Sequence, residues 1–413
     1  MSTESMKGTE LQSKIVTPLV IVAALGYFVD IFDLLLFSIL RVPSLTSLGY
    51  TKQQVTDLGL QLLNWQMAGM LIGGLLWGVM GDRKGRIAVL FGSILLYSVA
   101  NIANGLVQNY EMYAVWRFLA GVGLAGELGA GITLVAETVA KEKRGYSTTL
   151  VATVGVLGAV VAAFVAKSVD WRTAYFIGGG LGLGLLVLRI TVYESGMFER
   201  VKTSEHVRGS LKMLFADRSR LMRYLHCILC GLPIWFVVGI FVTLAPEFGE
   251  ALGVTPKPNA LNAVLYCYIG LSVGDLLSGL ISQWIKSRKK AIMLFIFASL
   301  LMSIAYLNLR GVSEATFNWV CIGLGIAIGY WAVFVTTAAE QFGTNLRATV
   351  ATSVPNFIRG SVIIFTLAFA ALKPSFGILN AGMVLTLVAC GLGLFSTAML
   401  RESFGQELDF VEA

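Results

Sequence analysis

Residues 17–41 run for 25 positions with charge only at Asp30, Asp33 and Arg41. Similar apolar runs recur along the whole chain, and they constrain its fold more than any other feature. Hydrocarbon offers no water to backbone N–H and C=O groups, so only α-helices or closed β-barrels can cross it. Runs of ~20 residues without two-residue alternation fit helices rather than barrel strands. Twelve such runs are expected as spans: 17–41, 57–80, 87–107, 110–139, 146–166, 172–193, 223–248, 260–286, 290–310, 316–339, 348–372 and 377–400. The expected class is an all-α integral membrane protein with twelve transmembrane helices. The polar opening MSTESMKGTELQSK lacks a cleavage pattern, and the run after it is too long for a signal-peptide core. The first run is therefore read as a mature helix.

Composition agrees. Hydrophobic residues make up 56% of the chain and charged residues 13%, about half the share usual in a soluble domain. The 45 glycines suit helices that pack closely within a membrane. A net charge of +7 would suggest nucleic acid in a soluble chain, but here it reads as basic loops that set topology. One set of connections carries Lys7, Lys14, Arg83, Lys84, Arg86, Lys141, Lys143, Arg144, the basic residues between Arg200 and Arg223, Lys286, Arg288, Lys289, Lys290, Arg347 and Arg401. The other set carries little beyond Lys52, Lys167, Lys257, Arg310 and Lys373. The positive-inside rule then places both termini in the cytoplasm, in a cell inner membrane. Cys227, Cys230, Cys267, Cys321 and Cys390 all fall in apolar runs and read as small hydrophobes, with a redox or metal pair at Cys227 and Cys230 as the weaker alternative. No cofactor is expected.

The longest connection, 194–222, is polar and basic, with a short amphipathic helix expected inside it. It divides the chain into residues 1–193 and 223–413, each expected to form a six-helix bundle. Landmarks recur in order across this division. GGLLWGVMGDRKGRIAVL (73–90) matches GDLLSGLISQWIKSRKKAIML (274–294), VAETVAKEKRG (135–145) matches AAEQFGTNLRA (338–348), and YES (193–195) matches RES (401–403). Two parallel repeats of this kind are the layout of transporters that rock about a midplane site.

These motifs resemble the major facilitator superfamily over nearly the whole chain. The most specific is G-x-x-x-G/D-R/K-x-G-R, here Gly78, Gly81, Asp82, Arg83, Lys84, Gly85 and Arg86. RFLAGVGLAGELGAGITLVAETVAKEKRG resembles the family's fourth span, and DWRTAYFIGGG the opening of its sixth. The D-I-F-D of the first span, Gly126-Glu127, and the ends VYESGMF and RESFGQELDF are similar to the metabolite:proton symporter and sugar-porter branches. The fifth span has Gly155 and Gly158 but lacks the Gly-Pro motif of drug antiporters. The resemblance implies two pseudo-symmetric six-helix bundles, alternating access and no enzyme activity.

Gly81 and Gly85 permit a tight turn, and Asp82 can accept from free N–H groups at a helix start. The resemblance implies that Asp82 pairs with Arg144, that Glu137 joins them, and that Glu340 and Arg347 are the second-half counterpart. The expected gating set is thus Gly81, Asp82, Arg83, Gly85, Arg86, Glu137, Arg144, Glu340 and Arg347.

At ~1.5 Å per residue, position along a span maps to depth. Asp30, Glu127, Asp275 and Arg359 then fall near the midplane, Asp33 one turn outward, and Arg117 in the outer half of the fourth span. A carboxylate at that depth costs roughly 3 kcal/mol, so it is expected to face a cavity or a partner. Asp30 and Asp33 share a helix face with Tyr27 and Phe37. Two close carboxylates resist ionising together, which suits a group that takes and releases a proton. Asp30, Asp33 and Glu127 are the candidate proton-coupling residues; the alternative is a static ion pair of Asp30 or Asp33 with Arg117. Arg359 follows Pro355, which bends its helix, and offers a planar fork for an anion. The alternative for Arg359 is a counter-ion for Asp275 or for the first-span aspartates. Candidate substrate-binding residues are Arg117, Arg359, Tyr27, Asn64, Gln66, Trp235, Tyr330, Trp331 and Asn356, with Trp65 beside them; packing is the alternative for each aromatic.

The expected function is proton-coupled import of a small organic anion or metabolite. The rivals are a proton-antiport exporter of drugs, metabolites or a siderophore, and a membrane sensor without flux. Expected partners are a small-molecule substrate, protons and the lipid bilayer, with no nucleic acid, and a monomer is the expected state.

Overall fold

The computed structural model describes residues 17–84, 86–127, 141–194, 211–405 and 412, and their regular structure is helical. The helices are α1 Pro18–Ser47, α2 Lys52–Lys84, α3 Arg86–Asn104, α4 Tyr110–Leu124, α5 Lys141–Ser168, α6 Trp171–Glu194, α7 Leu211–Ala216 and α8 Arg218–Cys230. They continue as α9 Leu232–Phe236, a π-helical turn Val237–Val242, α10 Ala245–Leu252, α11 Ala260–Trp284, α12 Arg288–Leu307, α13 Glu314–Ile328, α14 Trp331–Glu340 and α15 Thr344–Met399.

The helices start where the sequence supplies acceptors for free N–H groups. Thr17 accepts from Val20 N–H at 3.3 Å and is followed by Pro18 in the first turn. Asn109, Asp217, Asn259, Ser287 and Ser313 cap α4, α8, α11, α12 and α13 in the same way. α1 runs six residues past the expected end at Arg41, through Pro43 to Ser47, and Arg41 itself is buried.

Among the described residues, seven helices are long and apolar enough to cross a membrane, or eight if Arg218–Cys230 and Leu232–Val242, bent by 41°, form one span. The bend falls at Gly231 and Pro233, where the proline removes a helical hydrogen bond. α15 is two helices meeting at Gly377, whose φ of +74° is the left-handed region glycine tolerates. The tenth expected run is interrupted at Gly329 and Tyr330, between α13 and α14.

Apolar side chains fill the core and also cover much of the surface, while several charges are buried. Leu76, Val187, Ile364 and Phe395 are exposed, while Asp30, Asp33, Arg117, Asp275 and Arg359 are fully buried. A belt of exposed apolar side chains around buried charge is what a lipid solvent selects. α1 packs most closely on α5, and α11 on α13. In the first pair a Cβ at Gly158 would collide with the Phe28 carbonyl oxygen, so only glycine lets the backbones meet.

Candidate functional site

The central feature is an ion pair. Arg359 Nη2 donates to Asp30 Oδ2 at 3.2 Å, and neither residue is exposed. α15 thus meets α1 across 329 positions of sequence. The Arg359 guanidinium lies 5.6 Å from the Trp235 ring and 5.7 Å from the Trp331 ring, and the two indoles are 6.4 Å apart. A cation over indole faces gains electrostatic attraction that grows as water is excluded. Tyr27, one turn before Asp30, lies within electrostatic reach of Arg359, Asp30 and Asp275. Among the described residues, Arg359 Nε and Nη1, Asp30 Oδ1, Trp331 Nε1 and Asn356 Oδ1 have no hydrogen-bond partner. Asn356 Nδ2 donates to the carbonyls of Ala125 and Thr352, each at 2.9 Å.

Asp33 lies elsewhere. Three residues along a helix turn a side chain by about 60° from its predecessor, enough to aim the two carboxylates at different neighbours. A Cβ at Gly178 of α6 would come within 2.5 Å of Asp33 Oδ1. Asp33 shares this region with Asn101 of α3 and the charge of Arg117 on α4. The Arg117 guanidinium is 4.9 Å from the Phe37 ring and 6.0 Å from the Tyr175 ring. Tyr113 and Tyr175 join through their hydroxyls at 2.7 Å, and Tyr113 also reaches Ser44 Oγ at 3.2 Å. Neither Asp33 oxygen and no Arg117 guanidinium nitrogen makes a hydrogen bond among the described residues. This second cluster lies wholly within the first half of the chain.

Glu127 has a third environment. Arg189 of α6 grips it with both terminal nitrogens, one at 3.0 Å from Oε2 and the other on Oε1. The pair sits over Gly26 of α1, where a Cβ would collide with both side chains. Sequence reasoning missed Arg189. Its signal was present: an arginine set well inside the apolar run that follows Arg172 calls for a buried partner.

The remaining expected substrate contacts divide between positions. Trp235, Trp331, Tyr27 and Asn356 gather around the Asp30–Arg359 pair. Asn64 Oδ1 accepts from Thr366 at 2.7 Å, linking α2 to α15. Gln66 is buried, with its amide nitrogen 3.5 Å from the Leu34 carbonyl. Tyr330 donates to the Cys230 carbonyl at 3.0 Å. Trp65 is 48% exposed and packs edge-on to Phe118.

At the Arg41 end, side chains bridge the two halves of the chain. Arg41 Nη2 binds Glu247 at 2.9 and 3.1 Å and the Thr243 carbonyl at 3.2 Å. Thr56 donates to Glu247 at 3.1 Å, and Lys52 binds Glu250 at 2.9 Å. Hydrogen bonds from Lys257 and Lys52 hold the Glu250 carboxyl down at about 2. At the opposite end, Gly85 and Glu137, and the side-chain environments of Gly81, Asp82, Arg83, Arg86 and Arg144, lie outside the described residues. Glu340 meets Arg288 at 3.5 Å and accepts from Ser403 at 2.6 Å, while Arg347 donates to the Phe342 carbonyl at 3.3 Å.

A buried ion pair inside a bundle of long apolar helices fits a polytopic membrane protein, and the comparisons give its family. A profile of the Major Facilitator Superfamily matches residues 23–367, and the chain belongs to that family. It is 27% identical over 343 residues to a putative metabolite transport protein of Haemophilus influenzae, covering 79% of this chain and 82% of that one. It is 28% identical over 397 residues to a probable 4-methylmuconolactone transporter of Cupriavidus pinatubonensis, covering 92% and 89%. Its fold matches the proton:xylose symporter XylE bound to 6-bromo-6-deoxy-D-glucose, with a TM-score of 0.70 at 15% identity over 95% of this chain and 97% of that one. The chain is a multi-pass membrane transporter of a small molecule, not an enzyme.

Proposed function

We propose that the protein imports a small organic carboxylate, preferably one carrying a planar ring, together with one or more protons. The observation that carries this reading is the Asp30–Arg359 pair, with the adjacent indoles of Trp235 and Trp331 both against the guanidinium. A carboxylate fits the guanidinium fork, and a ring fits the two indole faces. The likeness to a transporter named for 4-methylmuconolactone, a ring compound, supports the same class.

The coupling follows from competition for one cation. An incoming carboxylate that takes Arg359 leaves Asp30 as an unpaired buried anion, which is costly. Taking a proton removes that cost, so substrate and proton bind together. Asp33 beside Arg117, and Glu127 beside Arg189, are further places in the first half where a carboxylate can be neutralised by a proton or by its arginine.

In this account residues 1–193 and 223–413 are two six-helix bundles joined by 194–222, and they rock in alternating access across a cell inner membrane. Both termini are cytoplasmic, and the Arg41 end faces outward, where Arg41, Glu247, Lys52 and Glu250 close the entrance. Gly81, Asp82, Arg83, Gly85, Arg86, Glu137 and Arg144, with Glu340 and Arg347, gate the cytoplasmic side.

Uptake of radiolabelled benzoate, nicotinate and 4-methylmuconolactone into proteoliposomes tests the reading. Accumulation of at least one of them under an inward proton gradient is expected. Accumulation under an outward gradient alone would make the protein an antiporter, and binding without flux would make it a sensor.

A further inference from the structure

Asp275 takes no part in the pairings above, yet it is fully buried. It lies on α11, one residue after Gly274, where α11 meets the interruption between α13 and α14. A Cβ at Gly274 would come within 2.9 Å of Gly329 Cα, so the two backbones are in direct contact there. Gly329 (φ −77°, ψ 57°) and Tyr330 (φ −123°, ψ 21°) leave the helical path. α14 therefore starts afresh inside the apolar bundle, with first-turn N–H groups that lack the carbonyls of a preceding turn. Tyr330 precedes α14 and gives it no side-chain cap.

Asp275 supplies one from another helix. Its Oδ1 accepts from Ala332 N–H at 3.1 Å, while its Oδ2 has no hydrogen-bond partner among the described residues. No salt bridge to Asp275 is found among those residues, so the positive end of α14 and its N–H groups are the compensation that the geometry offers this carboxylate. The residue next to the capped amide is Trp331, whose ring stands 5.7 Å from the Arg359 guanidinium. Moving the first turn of α14 moves that indole.

We infer that Asp275 is a positioning residue for the anion site: by capping α14 across the broken span it fixes the Trp331 indole against Arg359. The inference rests on the reading of Arg359 as the anion-binding group, but its test needs no substrate. The Ala332 N–H needs only an acceptor oxygen. Asparagine keeps one in the same place, and alanine has none.

Full-length protein carrying 5-fluorotryptophan is examined by fluorine NMR in detergent micelles, with the Trp331 line assigned by its loss in Trp331→Phe. In Asp275→Asn that line is expected to stay at the wild-type position. In Asp275→Ala it is expected to leave that position or to be lost by broadening, while the tryptophan lines other than that of the neighbouring Trp235 stay put. A Trp331 line unmoved in Asp275→Ala would overturn the inference. A line displaced in Asp275→Asn would overturn it equally, and that variant decides the matter even where the alanine protein fails to fold. Failure to transport benzoate, nicotinate or 4-methylmuconolactone would overturn the substrate reading and leave the fluorine result standing.

Discussion

Asp30 and Arg359 stand 329 positions apart in sequence and 3.2 Å apart in space, each with no exposed surface. Their contact ties α1 to α15 at the same place where two neighbouring indoles stand against the guanidinium. In the proposed account, stability and substrate recognition depend on the same two side chains.

Removing one partner alone leaves a buried charge uncompensated. Arg359→Ala is expected to destabilise the protein by about 3–5 kcal/mol, and Asp30→Asn in that background is expected to recover much of the loss. Thermal unfolding of the two single variants and the double variant measures the coupling. Equal and additive losses would show that the pair carries no joint energy.

Lysine keeps the charge of Arg359 but loses the planar fork and the match to the indole faces. Arg359→Lys is expected to weaken carboxylate binding by roughly tenfold or more, about 1.4 kcal/mol or more. Titration of the purified protein with benzoate, followed by tryptophan fluorescence, gives the affinity.

The Glu127–Arg189 pair makes a parallel expectation one turn along α1, over Gly26. Gly26→Ala pushes a methyl group into both side chains and is expected to cost about 1–3 kcal/mol. Glu127→Gln is expected to abolish proton-driven accumulation while sparing substrate counterflow, because glutamine still hydrogen-bonds Arg189 but carries no proton. Uptake and counterflow assays on one reconstituted batch separate the two effects.

The latch at the Arg41 end is expected to be insensitive to physiological pH. Lys257 and Lys52 hold the Glu250 carboxyl at about 2. A carboxyl held below its ordinary value contributes fully above that value, ~4.3, and loses its contribution only as pH falls toward the depressed one. Labelling of a cysteine placed at Ser38 is expected to be the same from about pH 8 to about pH 5. Glu247→Gln removes the charge that Arg41 grips and is expected to raise that labelling at every pH.

The helical membrane class was legible because long uncharged runs leave the backbone no other solution. The burial of Asp30, Asp33, Glu127, Arg117 and Arg359 was legible as charge placed where charge is costly. Their partners were not. Helical spacing puts Asp30 and Asp33 on one stripe, but the choice of Arg359 for one and the Arg117 region for the other depends on how helices distant in sequence are assembled. Arg189 escaped notice for the same reason, since no local pattern links it to Glu127. The break at Gly329 and Tyr330 also lay within an unremarkable apolar run. It is supported by Asp275 from α11, a tertiary contact with no sequence signature. Arg41 was read as the end of the first span, whereas it is a buried partner of Glu247 and the helix continues to Ser47.

The central claim is that a carboxylate entering the site takes Arg359 from Asp30 and that Asp30 then takes a proton. Proton uptake on ligand binding tests it most directly: purified protein in weakly buffered detergent solution is mixed with benzoate while a pH indicator is followed. The account predicts a proton bound with each ligand in the wild type and none in Asp30→Asn. Ligand binding without proton uptake in the wild type, or undiminished uptake in Asp30→Asn, would contradict it.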